Sequence, residues 1–398
     1  MNRTAEKLAE SLLTVSGTTT GIVILLIVFF LFKEGAGFFH HNDVEAGYAL
    51  CVNGENAVKN LSSGQIKDIF DYETGNWKEV GGADEEIVPF RVSDIINMYQ
   101  EAELGENYVL LPEKIGETIA KTRGIIAFIP VQYLPESNPE VRVLESKRLN
   151  PSDFFMGKDW MPTATPAPQF GLLPLLAGTL WVSLFAIIIA LPLGLGVAIY
   201  LAELAGERTR NLLKPAIELL AGIPSVVYGF FGLVVLVPFI QKIFDLPVGE
   251  TAFAGSLILA IMALPTIITV AEDSIRNTPQ SIREASLGLG ASHWQTICRV
   301  IIPYSASGIS AAIVLGIGRA VGETMAVLMV TGNAAVIPHT LFEPVRTIPA
   351  TIAAELGEAP AGGIHSGALF VLGCILFIIT AAVSVGAELI SKNKYKNI

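Results

Sequence analysis

Six long apolar runs constrain this chain more than any other feature. They lie at about residues 12–32, 172–202, 214–241, 252–271, 303–330 and 366–390. Each is long enough for a membrane-crossing helix, which needs roughly 20 mostly apolar residues. Only 16% of the residues are charged, against about a quarter in soluble proteins. The sequence therefore predicts an all-α integral membrane protein with six transmembrane helices.

The basic residues indicate an orientation. Lys and Arg concentrate in alternate short loops and at both ends of the chain, at Arg3, Lys7, Arg208, Arg210, Lys214, Arg276, Arg283, Arg299, Lys392, Lys394 and Lys396. Because basic short loops stay in the cytoplasm, we expect both termini there. The first run is long and no small-residue cleavage site follows it cleanly. Residues 1–32 are therefore predicted to be a cytoplasmic tail and an uncleaved first transmembrane helix.

Residues 33–170 differ sharply from the rest of the chain. They hold 12 Lys plus Arg against 22 Asp plus Glu, a net charge of −10 out of −11 for the whole chain. Ser62 and Gln65 fit a helix capping box, and residues 124–131 form a β-rich apolar run. We expect an acidic extracytoplasmic α/β domain between helices 1 and 2. Its last part, 151–170, carries four prolines and is predicted to be a stiff linker.

Part of this domain, around residues 57–77, resembles a phosphate-type periplasmic binding protein. Those proteins follow an Arg with a Gly-Ser-Gly-Thr loop whose amides wrap the anion, whereas this chain has Arg91, Val92, Ser93 and Asp94. An Asp there would repel an oxyanion, and the glycines that let amides converge are missing. We expect a docking or gating domain without a ligand of its own. A working anion site is the alternative.

A hydrophilic loop, residues 273–302, separates the fourth and fifth runs. Thr278 suits a helix N-cap and Pro279 the first helical position, so a short helix is predicted to end at Gly288 or Gly290. A second segment restarts at Ser292. Two short helices joined at a glycine would form a knob that a soluble partner could grip.

The same loop resembles the coupling loop of ABC importer permeases. The family pattern is E-A-A, three residues, G, nine residues, I-x-L-P, and this chain departs from it only at Ser286, Val300 and Ile302. In that family the loop docks into a groove on the ATP-hydrolysing subunit. The resemblance implies an ATPase-coupling set of Arg283, Glu284, Ala285, Ser286, Leu287, Gly288 and Gly290. An amphipathic cytoplasmic loop without a docking role is the alternative.

A proline followed by a hydroxyl residue occurs within the third and the fourth run, as Pro224 with Ser225 and as Pro265 with Thr266. A mid-membrane proline frees a carbonyl that a hydroxyl or water can satisfy in a pore-lining position. Plain kinked packing is the alternative, because proline is common in transmembrane helices. Residues 222–229 are similar to a signature stretch of phosphate permeases, which favours the pathway interpretation.

The fifth run contains the most costly residues for a membrane, Arg319 and Glu323, followed by Thr324. An ionised residue in the hydrocarbon costs at least about 2.5 to 3.5 kcal/mol. A spacing of four predicts one helical face, where the two charges could form a packing ion pair. Alternatively, Arg319 lines a translocation path and meets an anion. Its guanidinium stays charged and matches phosphate oxygens, and Glu323 would hold its geometry.

Residues 318–326 look like the matching stretch of the C-type permeases of high-affinity phosphate ABC importers. The resemblance implies a type I ABC importer permease core over residues 171–398, in a prokaryotic inner membrane. It also implies a heterodimer with a sister permease, two ATPases that bind ATP and Mg²⁺, and an extracytoplasmic phosphate-binding protein. The family's Arg and Glu are implicated in transport.

These features predict a phosphate permease subunit that is not itself an enzyme. The chain has no G-x-x-x-x-G-K-[ST] loop, no Ser-His-Asp set and no metal-ligand spacing among its five His and three Cys. We therefore expect no cofactor, no metal and no nucleic-acid partner. One intramembrane Arg would serve sulfate or molybdate as well, so a permease for another oxyanion is an alternative. A membrane receptor that senses through residues 33–170 is a further one.

Overall fold

The computed structural model describes residues 3–45, 47–135 and 138–395. The chain divides into two compact units. The first comprises Met1–Phe32 with Leu173–Ile398, and the second comprises Lys33–Leu172. The second unit is thus a folded insert between the first helix of the chain and its remaining membrane helices, with limits close to the expected 33 and 170.

The insert contains a four-stranded sheet with short helices. Its strands are β1 (Tyr48–Asn53), β2 (Val88–Arg91), β3 (Ile125–Pro130) and β4 (Val141–Val143), in the spatial order β2-β3-β1-β4. β2 runs parallel to β3, whereas β1 is antiparallel to β3 and β4. Helix α1 is Arg3–Phe38, and the helices of the insert are α2 (Ser63–Phe70), α3 (Val92–Asn97), α4 (Glu101–Leu104), α5 (Leu111–Lys121) and α6 (Pro151–Met156).

Two apolar clusters stabilise the sheet. Alternate residues of a strand point to opposite faces, so Leu50 and Val52 join one cluster while Cys51 joins the other. The first cluster includes Trp77, whose indole N–H donates to the carbonyl of Gly124 at 2.9 Å. The Ser62–Gln65 capping box is present at the start of α2. The described residues of this unit thus contain both strands and helices.

The prediction of a stiff linker at residues 151–170 is wrong. This stretch forms α6 and a small hairpin of β5 (Trp160–Met161) and β6 (Gln169–Phe170). Phe154, Trp160 and Phe170 are buried, because the aromatic side chains between the prolines have more to gain from burial than from an extended conformation. Proline count alone therefore misjudged a folded segment.

Asp43 is a buried carboxylate in the insert, 3% exposed. Its Oδ1 accepts from the Lys147 amide at 3.1 Å, and its Oδ2 has no hydrogen-bond partner. Burial raises the pKa of Asp43 from 3.8 to about 6, against the lowering effect of the backbone hydrogen bonds and of Lys147, and nearby Asp153 raises it further.

We expect Asp43→Asn to stabilise the protein most at neutral pH. Between pH 3.8 and about 6 the folded protein binds more protons here than the unfolded chain, so ionisation of Asp43 removes stability as pH rises through that window. The gain in unfolding free energy should be about 2 kcal/mol larger at pH 7.5 than at pH 4.5. Thermal unfolding in detergent measures this, with exposed Asp84→Asn as control. Equal gains at both pH values would contradict it.

The first unit is helical. After α1 its helices are α7 (Leu173–Ile199), α8 (Glu207–Ala221), α9 (Ser225–Phe231), α10 (Val237–Phe244), α11 (Ala252–Arg276), α12 (Gln280–Gly288), α13 (His293–Thr296), α14 (Ile302–Tyr304), α15 (Ala306–Gly322), α16 (Met325–Val330), α17 (Ile348–Glu355) and α18 (Ile364–Tyr395). Three π-helical turns extend or join them, at Tyr200–Leu204, Gly232–Leu236 and Ile297–Ile301.

Five helical segments among the described residues are long and apolar enough to cross a membrane. They are Glu10–Phe38, Leu173–Leu204, Ser225–Phe244, Ala252–Arg276 and Ile364–Gly386. A sixth candidate is the pair His293–Tyr304 and Ala306–Gly322, which is bent by 71°. The chain is a multi-pass membrane protein with five or six spans, as the apolar runs predicted.

Two predicted spans have different limits in the structure. The third begins at Ser225 rather than at 214, because Pro224 lacks an amide hydrogen and becomes the N-cap of α9, and charged α8 precedes it as a separate helix. The fifth does not continue to 330, because α15 ends at Gly322 and Glu323 has an extended backbone (φ −71°, ψ 133°). Pro224 and Ser225 therefore lie at the start of a span, not in its middle.

Helix α11 packs closely against its neighbours through glycines. A Cβ on Gly316 of α15 would lie 2.7 Å from Ile267, and one on Gly308 would lie 2.4 Å from the Cβ of Ser274. Near the 71° bend, the Ser274 hydroxyl donates to the carbonyl of Ser305 at 3.2 Å. α11 and α15 thus approach one another at two levels, at Gly316 and at Gly308, and the contact at Gly308 lies beside the bend.

Candidate functional site

Arg319 lies half-buried on α15, opposite α11. Its Nη1 donates to the hydroxyl of Thr266 at 3.4 Å. Thr266 follows Pro265, which is buried inside α11. The close packing of Gly316 against Ile267 brings the two helices near enough for this contact. The structure therefore places three predicted pathway residues, Arg319, Thr266 and Pro265, in one neighbourhood.

Of the two alternatives for Arg319 and Glu323, the packing ion pair does not form among the described residues. Because α15 ends at Gly322, Glu323 does not follow Arg319 on the same helical face. Its Oε1 accepts instead from the amide of Ala326 at 3.4 Å, at the start of α16. The Thr324 hydroxyl donates to the carbonyl of Gly322 at 3.3 Å. Within the described chain, no ion pair joins Arg319 to a carboxylate, so its charge is available to another anion.

Pro224 and Ser225 belong to a different contact. They begin α9, and α9 packs on α16, where a Cβ on Gly229 would lie 2.9 Å from the Cα of Ala326. In the part of the chain that the structure covers, neither residue hydrogen-bonds with Arg319 or Thr266. Their assignment to a pathway stays a prediction.

The loop 273–302 forms two short helices joined by a glycine. α12 begins one residue later than expected, with Pro279 at its N-cap position. Gly290 has a left-handed backbone (φ +84°), which glycine adopts without steric cost. Ser292 then caps α13 in a capping box with Gln295. The hydroxyls of Ser286 and Thr296 lie 2.9 Å apart and link the two helices.

The predicted coupling residues divide between two faces of α12. Glu284, Ala285, Leu287, Gly288 and Gly290 are exposed. Leu289, which is 91% exposed, and Trp294 are large apolar side chains on the same loop. Arg283 and Ser286 point inward instead, toward the rest of the unit. The exposed set forms a surface suited to a protein partner.

The sequence-based reasoning missed two acidic residues in this region. Glu203, 2% exposed on its side chain, forms an ion pair with Arg283 at 2.7 Å. Glu272, 1% exposed, lies 2.9 Å from Arg210 Nη2 and 2.6 Å from Lys214 Nζ, and Lys214 also reaches Asp273 at 2.7 Å. The sequence did offer one signal that could have identified them. Each is a carboxylate at the end of an otherwise apolar run, and the neighbouring loops are rich in arginine and lysine.

The four charges around Glu272 form a neutral network. Two cations from α8 meet two carboxylates at the end of α11. Burial acts to lower the pKa of Lys214, but its hydrogen bonds to Asp273 and Glu272 outweigh burial and raise that pKa. The network holds α8 against α11.

These features describe a membrane protein with a half-buried arginine between two packed helices and an exposed loop of two short helices. A model of the family described as "Binding-protein-dependent transport system inner membrane component" matches residues 190–394. The chain belongs to this family and has the fold of a type I ABC importer permease.

Three curated relatives narrow the similarity. The "Probable ABC transporter permease protein YqgH" of Bacillus subtilis is 39% identical over 232 residues, covering 58% of this chain and 75% of the relative. The "Phosphate transport system permease protein PstC" of Mesorhizobium japonicum is 42% identical over 246 residues, covering 57% and 74%. "Phosphate transport system permease protein PstC 1" of Mycobacterium tuberculosis is 35% identical over 312 residues, covering 69% and 92%.

Proposed function

We propose that this chain is a permease subunit of an ATP-driven phosphate importer. Its relatives of 35 to 42% identity include several proteins named as phosphate transport permeases, and this similarity is the observation that carries the proposal. Arg319 is half-buried and has no carboxylate partner among the residues that the structure describes, which supports an anionic substrate. Arginine suits an oxyanion because its planar fork matches two oxygens at once.

The chain would form half of the translocation path. Arg319, Thr266 and Pro265 would lie along it, with Glu323, Thr324, Pro224 and Ser225 as further candidates. The other half would come from a sister permease. In this scheme Glu323 is not the ion-pair partner of Arg319. Its carboxylate instead accepts a hydrogen bond at the start of α16.

Energy for transport would come from partners. The sequence contains no P-loop, so ATP and Mg²⁺ would be bound by two ATPase subunits that dock on the exposed face of α12 and on Leu289 and Trp294. This requires the loop, and with it both termini, to face the cytoplasm. The distribution of Lys and Arg supports that orientation.

Residues 33–172 would then be extracytoplasmic and meet the phosphate-binding protein. The geometry around Arg91 supports a docking role without a ligand. The carboxylate of Asp94 accepts from the Arg91 amide at 2.7 Å, the place where an anion would need a donor. The Arg91 guanidinium donates to the hydroxyl and carbonyl of Thr165 at 3.2 and 3.4 Å. Both groups are already occupied.

We expect the purified full chain to bind no phosphate at micromolar concentration. Titration calorimetry in detergent, with phosphate added to the unmodified protein and to Arg91→Gln, measures this directly. Because the insert's one candidate arginine already has partners, both titrations should give only heats of dilution. A micromolar isotherm that Arg91→Gln abolishes would assign an anion site to the insert and contradict the docking role.

The proposed function is tested with the complete complex in vesicles. The chain, co-expressed with the neighbouring permease, ATPase and binding protein, should accumulate labelled phosphate only when ATP is present. A tenfold excess of unlabelled phosphate should suppress uptake, whereas sulfate and molybdate should not. Suppression by sulfate or molybdate alone would favour the other oxyanion permease, and failure of an ATPase to co-purify would remove the importer assignment.

A further inference from the structure

We propose that Arg283 is a positioning residue that ties the coupling loop to the ends of two spans, and not a contact for the ATPase. This inference rests on the proposed function, because it concerns how a partner's movement reaches the membrane helices. We call Arg283, Glu203 and the carbonyls of Ile275, Arg276 and Thr278 the Arg283 latch.

The first contact of the latch is an ion pair to the second span. Arg283 Nη1 lies 2.7 Å from Glu203 Oε1, with side-chain exposures of 17% and 2%. Glu203 belongs to the π-helical turn Tyr200–Leu204, which ends the span Leu173–Leu204. An arginine so enclosed offers little surface to an external protein. It is positioned to hold the end of that span.

The second contact is to the end of α11. Arg283 Nη2 donates to the carbonyls of Ile275 at 3.0 Å and Arg276 at 3.4 Å, and Nε donates to that of Thr278 at 3.4 Å. The last carbonyls of a helix lack intrahelical partners and carry the negative end of its dipole. One guanidinium therefore donates to two of the last carbonyls of α11, and to that of Thr278 just beyond it, while it neutralises Glu203.

The latch and the exposed surface lie on opposite sides of the same helix. Glu284, Ala285, Leu287 and Gly288 face outward, whereas Arg283 and Ser286 face inward. A partner that grips the outer side would move α12, and the latch would transmit that movement to α7 and α11 together. Both charged groups are largely enclosed, so water screens their attraction less than at an exposed pair.

The latch predicts a separation between docking and coupling. In the reconstituted complex, Arg283→Gln should lower the phosphate transported per ATP hydrolysed at least about fivefold, while the ATPase co-purifies at an unchanged level. Glu203→Gln should cost only about twofold, because Arg283 keeps its three carbonyl partners. The double variant should keep the low transport ratio of Arg283→Gln, because it also lacks the arginine that contacts the three carbonyls, but it should assemble better because it leaves no buried unpaired carboxylate.

Arg208→Gln is the matched control, because it removes the same charge from an exposed position on α8. It should leave the transport ratio unchanged. If Arg283→Gln fails to assemble, the transport ratios of the neutral double variant and of Glu203→Gln still test the latch. Loss of the ATPase in Arg283→Gln, with a normal ratio in the complexes that remain, would make Arg283 a docking residue and overturn the latch. A normal ratio in all three variants would also overturn it.

A readout without substrate separates this inference from the proposed function. A fluorophore on Leu204→Cys, with exposed Cys298 replaced by Ser, should respond to ATP in the complex and stay silent in Arg283→Gln. If the unmodified complex moves no phosphate, the substrate assignment fails, but this signal still reports the latch. An equal response with and without Arg283 would refute the latch alone.

Discussion

Replacing Arg319 with Gln is expected to lower ATP-driven phosphate uptake about 100-fold in reconstituted vesicles. The guanidinium has one long hydrogen bond, 3.4 Å to Thr266, and no carboxylate partner among the described residues. In the proposed translocation path, its charge would therefore face the passing anion. Removing a preorganised charged donor from a low-dielectric site typically costs a factor of 10² to 10³. Uptake rates at saturating phosphate measure the effect.

Two variants make this prediction specific. Arg319→Lys keeps the charge and loses the planar fork, so we expect it to retain about a tenth of the uptake or more. Ser310→Ala removes a hydroxyl on the same helix that donates only to the carbonyl of Ala306, and uptake should be unchanged. If Arg319→Gln transports at the unmodified rate, Arg319 does not line the path.

The lack of an ion pair between Arg319 and Glu323 among the described residues allows a quantitative check with a double variant. Side chains that do not interact give additive effects. The uptake of Arg319→Gln/Glu323→Gln should therefore equal the product of the two single effects. Uptake by the double variant well above this product would indicate that Arg319 and Glu323 interact in spite of the helix break at Glu323.

Replacing Glu272 with Ala is expected to lower the melting temperature by about 10 °C. Glu272 is 1% exposed and receives hydrogen bonds from Arg210 and Lys214. Breaking a buried ion pair by removing one partner costs about 3 to 5 kcal/mol, and each kcal/mol shifts the melting temperature by about 2 to 4 °C at this size. Thermal unfolding of the detergent-solubilised chain measures the change.

Asp273 provides the internal comparison for Glu272. It belongs to the same network, but its side chain is 55% exposed. Exposed ion pairs contribute at most about 1 kcal/mol, so Asp273→Asn should lower the melting temperature by no more than about 3 °C. Equal shifts for the two variants would mean that burial of Glu272 does not determine the stability of the contact between α8 and α11.

Much of the fold could be predicted from the sequence because hydropathy and capping act locally. Six apolar runs predicted six spans, and the described residues contain five candidate spans and the bent pair. The side chain of Ser62 caps α2 as its capping-box pattern predicted, and the second helix of the loop begins directly after Ser292, where a restart was expected. These signals need only neighbouring residues. The α/β character of the insert followed from the same kind of local evidence.

What the sequence could not supply were the helix breaks and the long-range charge pairs. Apart from Arg319 and Glu323, the fifth run stays apolar past Gly322 to Val330, although the backbone leaves the helix at Glu323. Glu203 meets Arg283 and Glu272 meets Arg210 across many intervening residues. Nothing in the local pattern selects these partners. The aromatic residues that fold 151–170 were likewise hidden behind its prolines.

In the proposed importer, the 71° bend at Ser305 would determine how a movement of the loop 273–302 reaches α15. α15 meets α11 without clearance at Gly308 and Ser274, so in the proposed importer this point would act as a fulcrum and α15 as the arm of a lever. Arg319 lies about 16 Å along that arm from Gly308 at 1.5 Å per residue. A tilt of about 5° would carry that point of the helix roughly 1.5 Å sideways, about the difference between grasping an oxyanion and releasing it.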